Sequence, residues 1–253
     1  MGDNITGIKD VSKTTMKQAE YWDCKARHYD AFYGYETLYG RLKIERKAQM
    51  LIEKATIDAC SDVLEIGCGT GVFTREIAKT GAYIKAIDVS PEMLAIAGKQ
   101  PQDNIHYIKA SAYQLHNGNN VFDAVVGTYV LQYLDLDRVL SEIYRVLKWG
   151  CTMAFVEPNA LNPLAWALTR CKAINQWAGR PKEATSFYPS QIKAKLIQHG
   201  FTDIEIKPLE FMPNGIPAWL VDLALAGNWL FEHTPLIRWL AGSLLIMGRK
   251  EIV

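Results

Sequence analysis

The sequence predicts an α/β fold built around a doubly wound, mainly parallel sheet. Short apolar runs alternate with amphipathic segments of helical period along most of the 253 residues. Strands separated by helices of roughly 10–15 residues imply right-handed crossovers and parallel pairing. The polar residues capable of chemistry also cluster at the ends of the apolar runs. In an open parallel sheet, that is the edge where ligands bind.

Each element has a local reason. Lys13–Tyr29 has helical character and precedes the first strand. Tyr39–Ala55 carries Leu42, Ile44, Met50, Leu51 and Ile52 and reads as a second helix. Asp62–Ile66 is the first strand. Gly71–Lys79 opens a helix that Gly81 ends, and Tyr83–Ile87 is the second strand. Ser90-Pro91-Glu92 combines an N-cap with a proline suited to a first turn, so a helix should run from Pro91 to about Gly98. Ile105–Lys109 and Phe122–Val126 are strands three and four, and Asp137–Leu147 is the next helix. Met153–Glu157 is the fifth strand. A turn-rich stretch then leads to a helix over roughly Leu164–Ala178. Pro189–His199 is a further helix ended by Gly200, Thr202–Phe211 the sixth strand and Gly242–Lys250 the seventh.

Composition suits one folded α/β domain: 49% hydrophobic, 22% charged, net charge +1. That balance argues against an extended nucleic-acid surface. The five cysteines contain no C-x-x-C pair, so neither a disulfide framework nor a zinc site is expected, and no metal is called for. The N-terminus lacks an apolar signal core, which makes the cytoplasm the expected compartment.

The first strand ends in Glu65 and runs into Gly67-Cys68-Gly69-Thr70-Gly71. Glycine admits positive φ and presents no side chain to a ligand. Two nucleotide-like ligands compete for such a loop. A dinucleotide brings a pyrophosphate and wants a helix N-terminus without a nearby anion. Glu65 would repel pyrophosphate and attract cations, and no Lys or Arg lies between Asp62 and Thr74 to offset it. Val72 also stands where the dinucleotide fingerprint places its third glycine. Asp88 lies 21 residues past Gly67 and closes the next apolar run. An acidic group there accepts hydrogen bonds from ribose hydroxyls in either ligand class.

The segments Val63–Thr74, Ala86–Leu94, Phe122–Tyr133 and Leu147–Asn159 together resemble the class I S-adenosylmethionine-dependent methyltransferases, in that family's order and spacing. Within it, the chain is most similar to the methyltransferase type 11-like group acting on small molecules and lipid-like compounds. Tyr21-Trp22 and Ala26–Asp30 resemble the same group's N-terminal helix. The resemblance implies a Rossmann-like, seven-stranded sheet whose last strand runs antiparallel at the sheet edge. It implies a helical N-terminal cap (1–57), a cofactor-binding core (58–160) and a C-terminal half (161–253) with a helical insertion at about 212–241.

The implied cofactor is S-adenosyl-L-methionine, with S-adenosyl-L-homocysteine as product. The residues carried over to it are Tyr29, Glu65, Gly67, Cys68, Gly69, Gly71, Asp88, Val89, Met93, Ser111, Ala112, Thr128 and Tyr129. Ala110-Ser111-Ala112 departs from the family, which commonly has an acidic residue here toward adenine. Cys68 is expected to serve through its backbone. The acceptor side is assigned to Tyr133, Glu157 and Trp219, and the general-base candidates are His28 and Glu157, with His233 behind them. Methyl transfer needs a base only if the acceptor carries a proton near the working pH.

The expected activity is methyl transfer to O, N or C of a small-molecule or lipid-like acceptor. The competing readings are an NAD-type oxidoreductase and a cofactor-binding module without catalysis. Residues 212–241, with any membrane contact expected through 215–241, are rich in Trp and Leu but broken by Asp222, Asn228, Glu232, His233 and Arg238. This stretch reads as a helical cap, a lid over an apolar pocket, or a peripheral membrane contact, rather than a span.

Overall fold

A computed structural model describes residues 15–163, 166, 184–212 and 216–251. After a helix over residues 15–25 (α1), a 3-10 turn at Ala26–His28 leads into α2 (Tyr29–Phe32) and α3 (Leu38–Ala55). The alternating core follows: β1 (Asp62–Ile66), α4 (Val72–Ala78), β2 (Tyr83–Asp88), α5 (Pro91–Ala97), β3 (Ile105–Lys109) and β4 (Phe122–Thr128). Next come a 3-10 turn at Leu131–Tyr133, α6 (Leu136–Val146) and β5 (Leu147–Pro158). The described chain ends with α7 (Pro189–Gln198), β6 (Phe201–Leu209), α8 (Val221–His233) and β7 (Ser243–Lys250).

The sheet order is β3-β2-β1-β4-β5-β7-β6. The strands from β3 to β5 pair in parallel, and β7 is antiparallel to both its neighbours. The antiparallel sense of the last strand is as expected. Its place is not: β7 fills the gap between β5 and β6, and β6 takes the edge. The short link from η-turn Ile237–Leu240 brings β7 in beside β5, where it pairs along Thr152–Pro158.

Both faces of the central strands are covered, which explains their unbroken apolar character. Val63, Ile84 and Ala124 pack with α3 and α4 on one face. Leu64, Val125, Met153 and Phe155 pack with α6 and α7 on the other. The predicted caps form. Ser90 Oγ accepts from Met93 N at the start of α5, and the Asp135 carboxylate accepts from Arg138 N at the start of α6.

Element boundaries shift where pairing overrides local pattern. β5 starts at Leu147 rather than Met153, because Leu147 pairs with Phe122 ahead of a register shift. β6 ends at Leu209, before Glu210, instead of at Phe211. The helix expected over Leu164–Ala178 lies outside the described residues, apart from position 166. Residues 216–241 form α8 flanked by 3-10 turns at Ala218–Leu220 and Ile237–Leu240. Among the described residues, no helix is long and apolar enough to cross a membrane.

Gly127 sits at the crossing of β4 with its neighbours. A Cβ there would lie 2.6 Å from Phe155 Cε1 and 2.8 Å from the Ile66 carbonyl oxygen. Gly127→Ala is therefore expected to destabilise the fold by about 1–3 kcal/mol through overpacking. Denaturant unfolding checks this, and an unchanged midpoint would contradict the packing described.

Candidate functional site

The strand order reverses between β1 and β4, which leaves a crevice at the carboxyl edge of the sheet. The loop after β1 is clamped there. Gly67 N and Cys68 N both donate to the Ile87 carbonyl, at 2.8 and 3.0 Å. Gly67 has φ +71°, and a Cβ on it would strike Val130 Cγ2 at 2.5 Å. Gly69 has φ +53° and faces open space, with no atom within 4 Å of a notional Cβ. Its N–H donates to Asp88 Oδ2 at 2.9 Å, while Ser90 N donates to Asp88 Oδ1 at 2.9 Å. The carboxylate is thus aimed by two backbone amides at the lip of the loop. Burial raises its pKa above the ordinary value, and these amides work against the shift.

A cavity of about 900 Å³ runs along this edge. It gathers most of the residues expected from sequence. Gly67, Gly69, Asp88, Val89 and Met93 line one end, with Ser111 and Ala112 beyond β3. Thr128, Tyr129 and Tyr133 line it after β4, and Tyr29 comes in from α2. The N-terminal segment closes over them. Gln18 Nε2 donates to the Tyr133 carbonyl at 2.6 Å, Ser90 Oγ donates to Asp23 Oδ1 at 2.5 Å, and Thr70 Oγ1 donates to Asp30 Oδ1 at 2.7 Å. Trp22 packs edge-on against Tyr133 and Tyr29, with centroids at 5.2 and 6.0 Å.

Other expected residues stand elsewhere. Strand alternation puts Glu65 on the α4 side of β1, enclosed beneath the glycine loop and outside the cavity wall. Its Oε2 has no hydrogen-bond partner, and the nearby Thr74 Oγ1 and Tyr107 hydroxyl are in the same state. Burial pushes its carboxyl up to about 7, with Thr74 opposing and Asp88 adding to the shift. Cys68 and Gly71 also lie outside the wall. Cys68 is buried, and burial raises its thiol well above the ordinary value, consistent with an inert side chain. Gly71 is the left-handed N-cap of α4.

The base and acceptor candidates need correction. Glu157 is fully buried and does not line the cavity. Its Oε1 accepts from Val130 N and Leu131 N at 2.9 and 2.8 Å, and its Oε2 from Gln132 N at 3.3 Å. It holds the turn after β4 in place and has no path to an acceptor. Burial pushes its carboxyl up to about 8, against the pull of those amides. His28 lies exposed on the 3-10 turn and opens onto a minor surface hollow, not onto the cavity. His233 is exposed and bonds the Trp229 carbonyl through Nδ1. Trp219 is 80% exposed, away from the cavity, because its 3-10 turn presents it outward.

The far end of the cavity holds residues that the sequence reading missed. Lys43 and Lys47, one turn apart on α3, meet Glu210 just past β6. Lys47 Nζ lies 2.8 Å from Glu210 Oε2 and donates to the Tyr129 hydroxyl at 2.8 Å. Ser243 Oγ is 2.8 Å from the same hydroxyl. Burial works against the Lys47 ammonium, but Glu210, Tyr129 and Tyr35 raise its pKa above the ordinary value. Burial pushes Lys43 down to about 8, against the attraction of Glu210 and with help from Lys47. One signal for this cluster was present in the sequence. Lys47 falls between Ile44 and Leu51 on the apolar stripe of α3, and it is only 4% exposed.

The glycine-loop end suits a ligand that is not a pyrophosphate. Asp88 offers acceptor oxygens for paired hydroxyls at the lip of the loop. Among the described residues the only lysines or arginines in the cavity wall are Lys43 and Lys47, at the opposite end. Arg75 turns away and donates to the Thr70 carbonyl at 3.0 Å. The donor set fits a nucleoside carrying a sulfonium and an ammonium.

Comparison with known proteins agrees. Residues 64–155 match a family model described as a methyltransferase domain. A malonyl-[acyl-carrier protein] O-methyltransferase from Enterobacter lignolyticus is 32% identical over 111 residues, covering 44% of this chain and 44% of the relative. The match therefore spans less than half the length of that relative. A sterol 24-C-methyltransferase from Yarrowia lipolytica is 26% identical over 234 residues, covering 85% of this chain and 57% of the relative. The crystal structure of a SAM-dependent methyltransferase from Archaeoglobus fulgidus superposes with a TM-score of 0.61 at 18% identity, covering 83% of this chain and 94% of that one. Residues 64–155 of the chain thus match a methyltransferase domain.

The position of Glu65 gives a pH-dependent expectation. Its carboxyl is raised to about 7 in the fold, against about 4.3 when unfolded. Between those values the folded chain holds a proton that the unfolded chain has lost. The contribution to stability is thus fully present below about pH 4 and is lost as pH rises toward 7. Glu65→Gln should flatten the decline in unfolding free energy between pH 5 and 7. Equal slopes for the two proteins would show that Glu65 is not held in this way.

Proposed function

We propose that this chain transfers the methyl group of S-adenosylmethionine to a small-molecule or lipid-like acceptor bound in the same cavity. The observation that carries the reading is the continuity of the cavity. It starts at Asp88 and Gly69, passes Thr128 and Tyr129, and ends at Glu210 and Met212. The first end suits the cofactor, and the second leaves room for another molecule.

Asp88 would accept from the ribose hydroxyls, with the Gly67–Gly69 backbone beneath the ligand. Ser111 and Ala112 stand where adenine contacts are expected, without the acidic residue common in the family. Thr128 and Tyr129 would border the methionine end. The bound cofactor supplies an activated methyl on a sulfonium, which leaves as a neutral thioether. The protein's share is alignment and exclusion of water. Trp22, Tyr29 and Tyr133 form an aromatic wall suited to both tasks, and their faces attract a neighbouring cation by roughly 0.5–2 kcal/mol.

Two alternatives fare less well. A dinucleotide would place its pyrophosphate against Asp88, where the described residues of the cavity wall include no lysine or arginine. A module without catalysis has no use for the far half of the cavity. The sterol methyltransferase relative supports a lipid-like acceptor, and the malonyl-[acyl-carrier protein] O-methyltransferase supports acceptors with a polar head. The outer face of residues 216–241 exposes Trp219, Leu223, Trp229, Leu230 and Leu236, which supports peripheral contact with a membrane carrying such an acceptor.

Calorimetric titration with S-adenosylhomocysteine tests the cofactor. Micromolar binding is expected, weakened at least about tenfold in Asp88→Ala, with no binding of NAD. Failure of the folded wild-type chain to bind S-adenosylhomocysteine would sink the reading. In a vesicle sedimentation assay, Trp219→Ser with Trp229→Ser should lose binding while cofactor affinity stays unchanged. Equal sedimentation of both proteins would remove the membrane role.

A further inference from the structure

We propose that Glu210 is a specificity-determining residue of the acceptor end of the cavity: its Oε1 accepts a hydrogen bond from a neutral donor, a hydroxyl or an amide N–H, on a methyl acceptor with an apolar body. The inference rests on the methyl-transfer reading and narrows its acceptor.

The first ground is a fixed acceptor that lacks a donor. Glu210 lies in the cavity wall just past β6 and is 5% exposed. Its N–H donates to Glu232 Oε1 at 2.9 Å, and its carbonyl accepts from Gly242 N at 2.6 Å. Lys47 Nζ lies 2.8 Å from Oε2, and Lys43 Nζ lies 3.5 Å from the same oxygen. The residue is thus tied to α3, to α8 and to the residue before β7. Oε1 has no hydrogen-bond partner. A buried acceptor without a donor is costly, and a bridge serving only to tie α3 to β6 would satisfy both oxygens. A donor carried by the methyl acceptor removes that cost.

Charge then favours a neutral donor. A carboxylate or phosphate on the ligand would meet the lone pairs of Oε1 and be repelled. An ammonium at Oε1 would stand close to the Lys47 ammonium, which is 2.8 Å from the other oxygen of the same carboxylate. A hydroxyl or amide N–H satisfies Oε1 without either conflict.

Position is the third ground. Lys47 also donates to the Tyr129 hydroxyl at 2.8 Å, so one ammonium links Glu210 to the residue proposed to border the methionine end of the cofactor. Tyr129 and Glu210 have φ of +54° and +66°, in the left-handed region that bulky side chains avoid. Such strain persists where the surrounding contacts fix a residue, and it gathers at binding sites. Around Glu210, Ile44, Tyr35, Phe211 and Met212 supply an apolar wall for the rest of the acceptor.

The test is calorimetry on the full chain loaded with S-adenosylhomocysteine. The probes are octanol, octanamide, methyl octyl ether, octylamine and octanoate, which share an apolar tail and differ in head group. Octanol or octanamide should bind at least about tenfold tighter than the ether, the difference that one hydrogen bond to a charged acceptor supports. The tighter of the two assigns the donor as O–H or N–H. Glu210→Met, with its fold checked by circular dichroism, should bring both donors down to the affinity of the ether. If that variant does not fold, Glu210→Met combined with Lys47→Met removes both partners of the buried pair and carries the same expectation. The inference is overturned if neither octanol nor octanamide binds, if the ether binds as well as both, if octylamine or octanoate binds tighter than both, or if the preference survives the loss of Glu210. Failure of the wild-type chain to bind S-adenosylhomocysteine at the loading step would instead count against the methyl-transfer reading itself.

Discussion

β1 lies between β2 and β4, and the helices that follow these strands pack on opposite faces of the sheet. The chain leaves the carboxyl end of β1 through a loop at the crevice between them, and Cys68 and Thr70 of that loop are buried. The Ile87 carbonyl takes two amides of that loop, and the Asp88 carboxylate takes a third. Ligand geometry at this edge therefore depends on the register of β1 against β2. A slip of one residue would turn Asp88 into the core and bring Lys85 or Ile87 to the wrong face.

The same edge explains how the fold handles its buried charges. Glu65 and Glu157 end adjacent regions of the sheet but face away from the cavity. One sits under the glycine loop, and the other takes three backbone amides of the turn at Leu131–Tyr133. Each shapes a wall of the site without touching its contents. Glu210, by contrast, lies in the wall and shares its charge with two lysines. Glu65 and Glu157 look alike in sequence, each following an apolar run, and their tasks separate only through the direction each side chain takes.

The N-terminal segment acts as a roof. α1 is tied to Tyr133 and to the α5 N-terminus by side-chain hydrogen bonds, and Trp22 wedges between Tyr29 and Tyr133. The hydrogen bonds are part-buried, so the segment belongs to the wall of the site. The cofactor end and the acceptor end share the cavity beneath it.

The sequence by itself determined the strand and helix alternation, the glycine loop, Asp88 and the residues that follow β4. These are local features: period, caps and residues at strand ends dictate them without reference to distant contacts. Tertiary structure decided three things that local pattern does not contain. It inserted β7 between β5 and β6, because edge pairing depends on the whole sheet. It removed His28, Glu157 and Trp219 from the site, because burial and side-chain direction depend on what packs against each turn. It also joined Lys43 and Lys47 to Glu210, more than 160 positions later in the chain. Lys47 stood out on an apolar stripe, but its partner could be found only by folding β6 alongside α3.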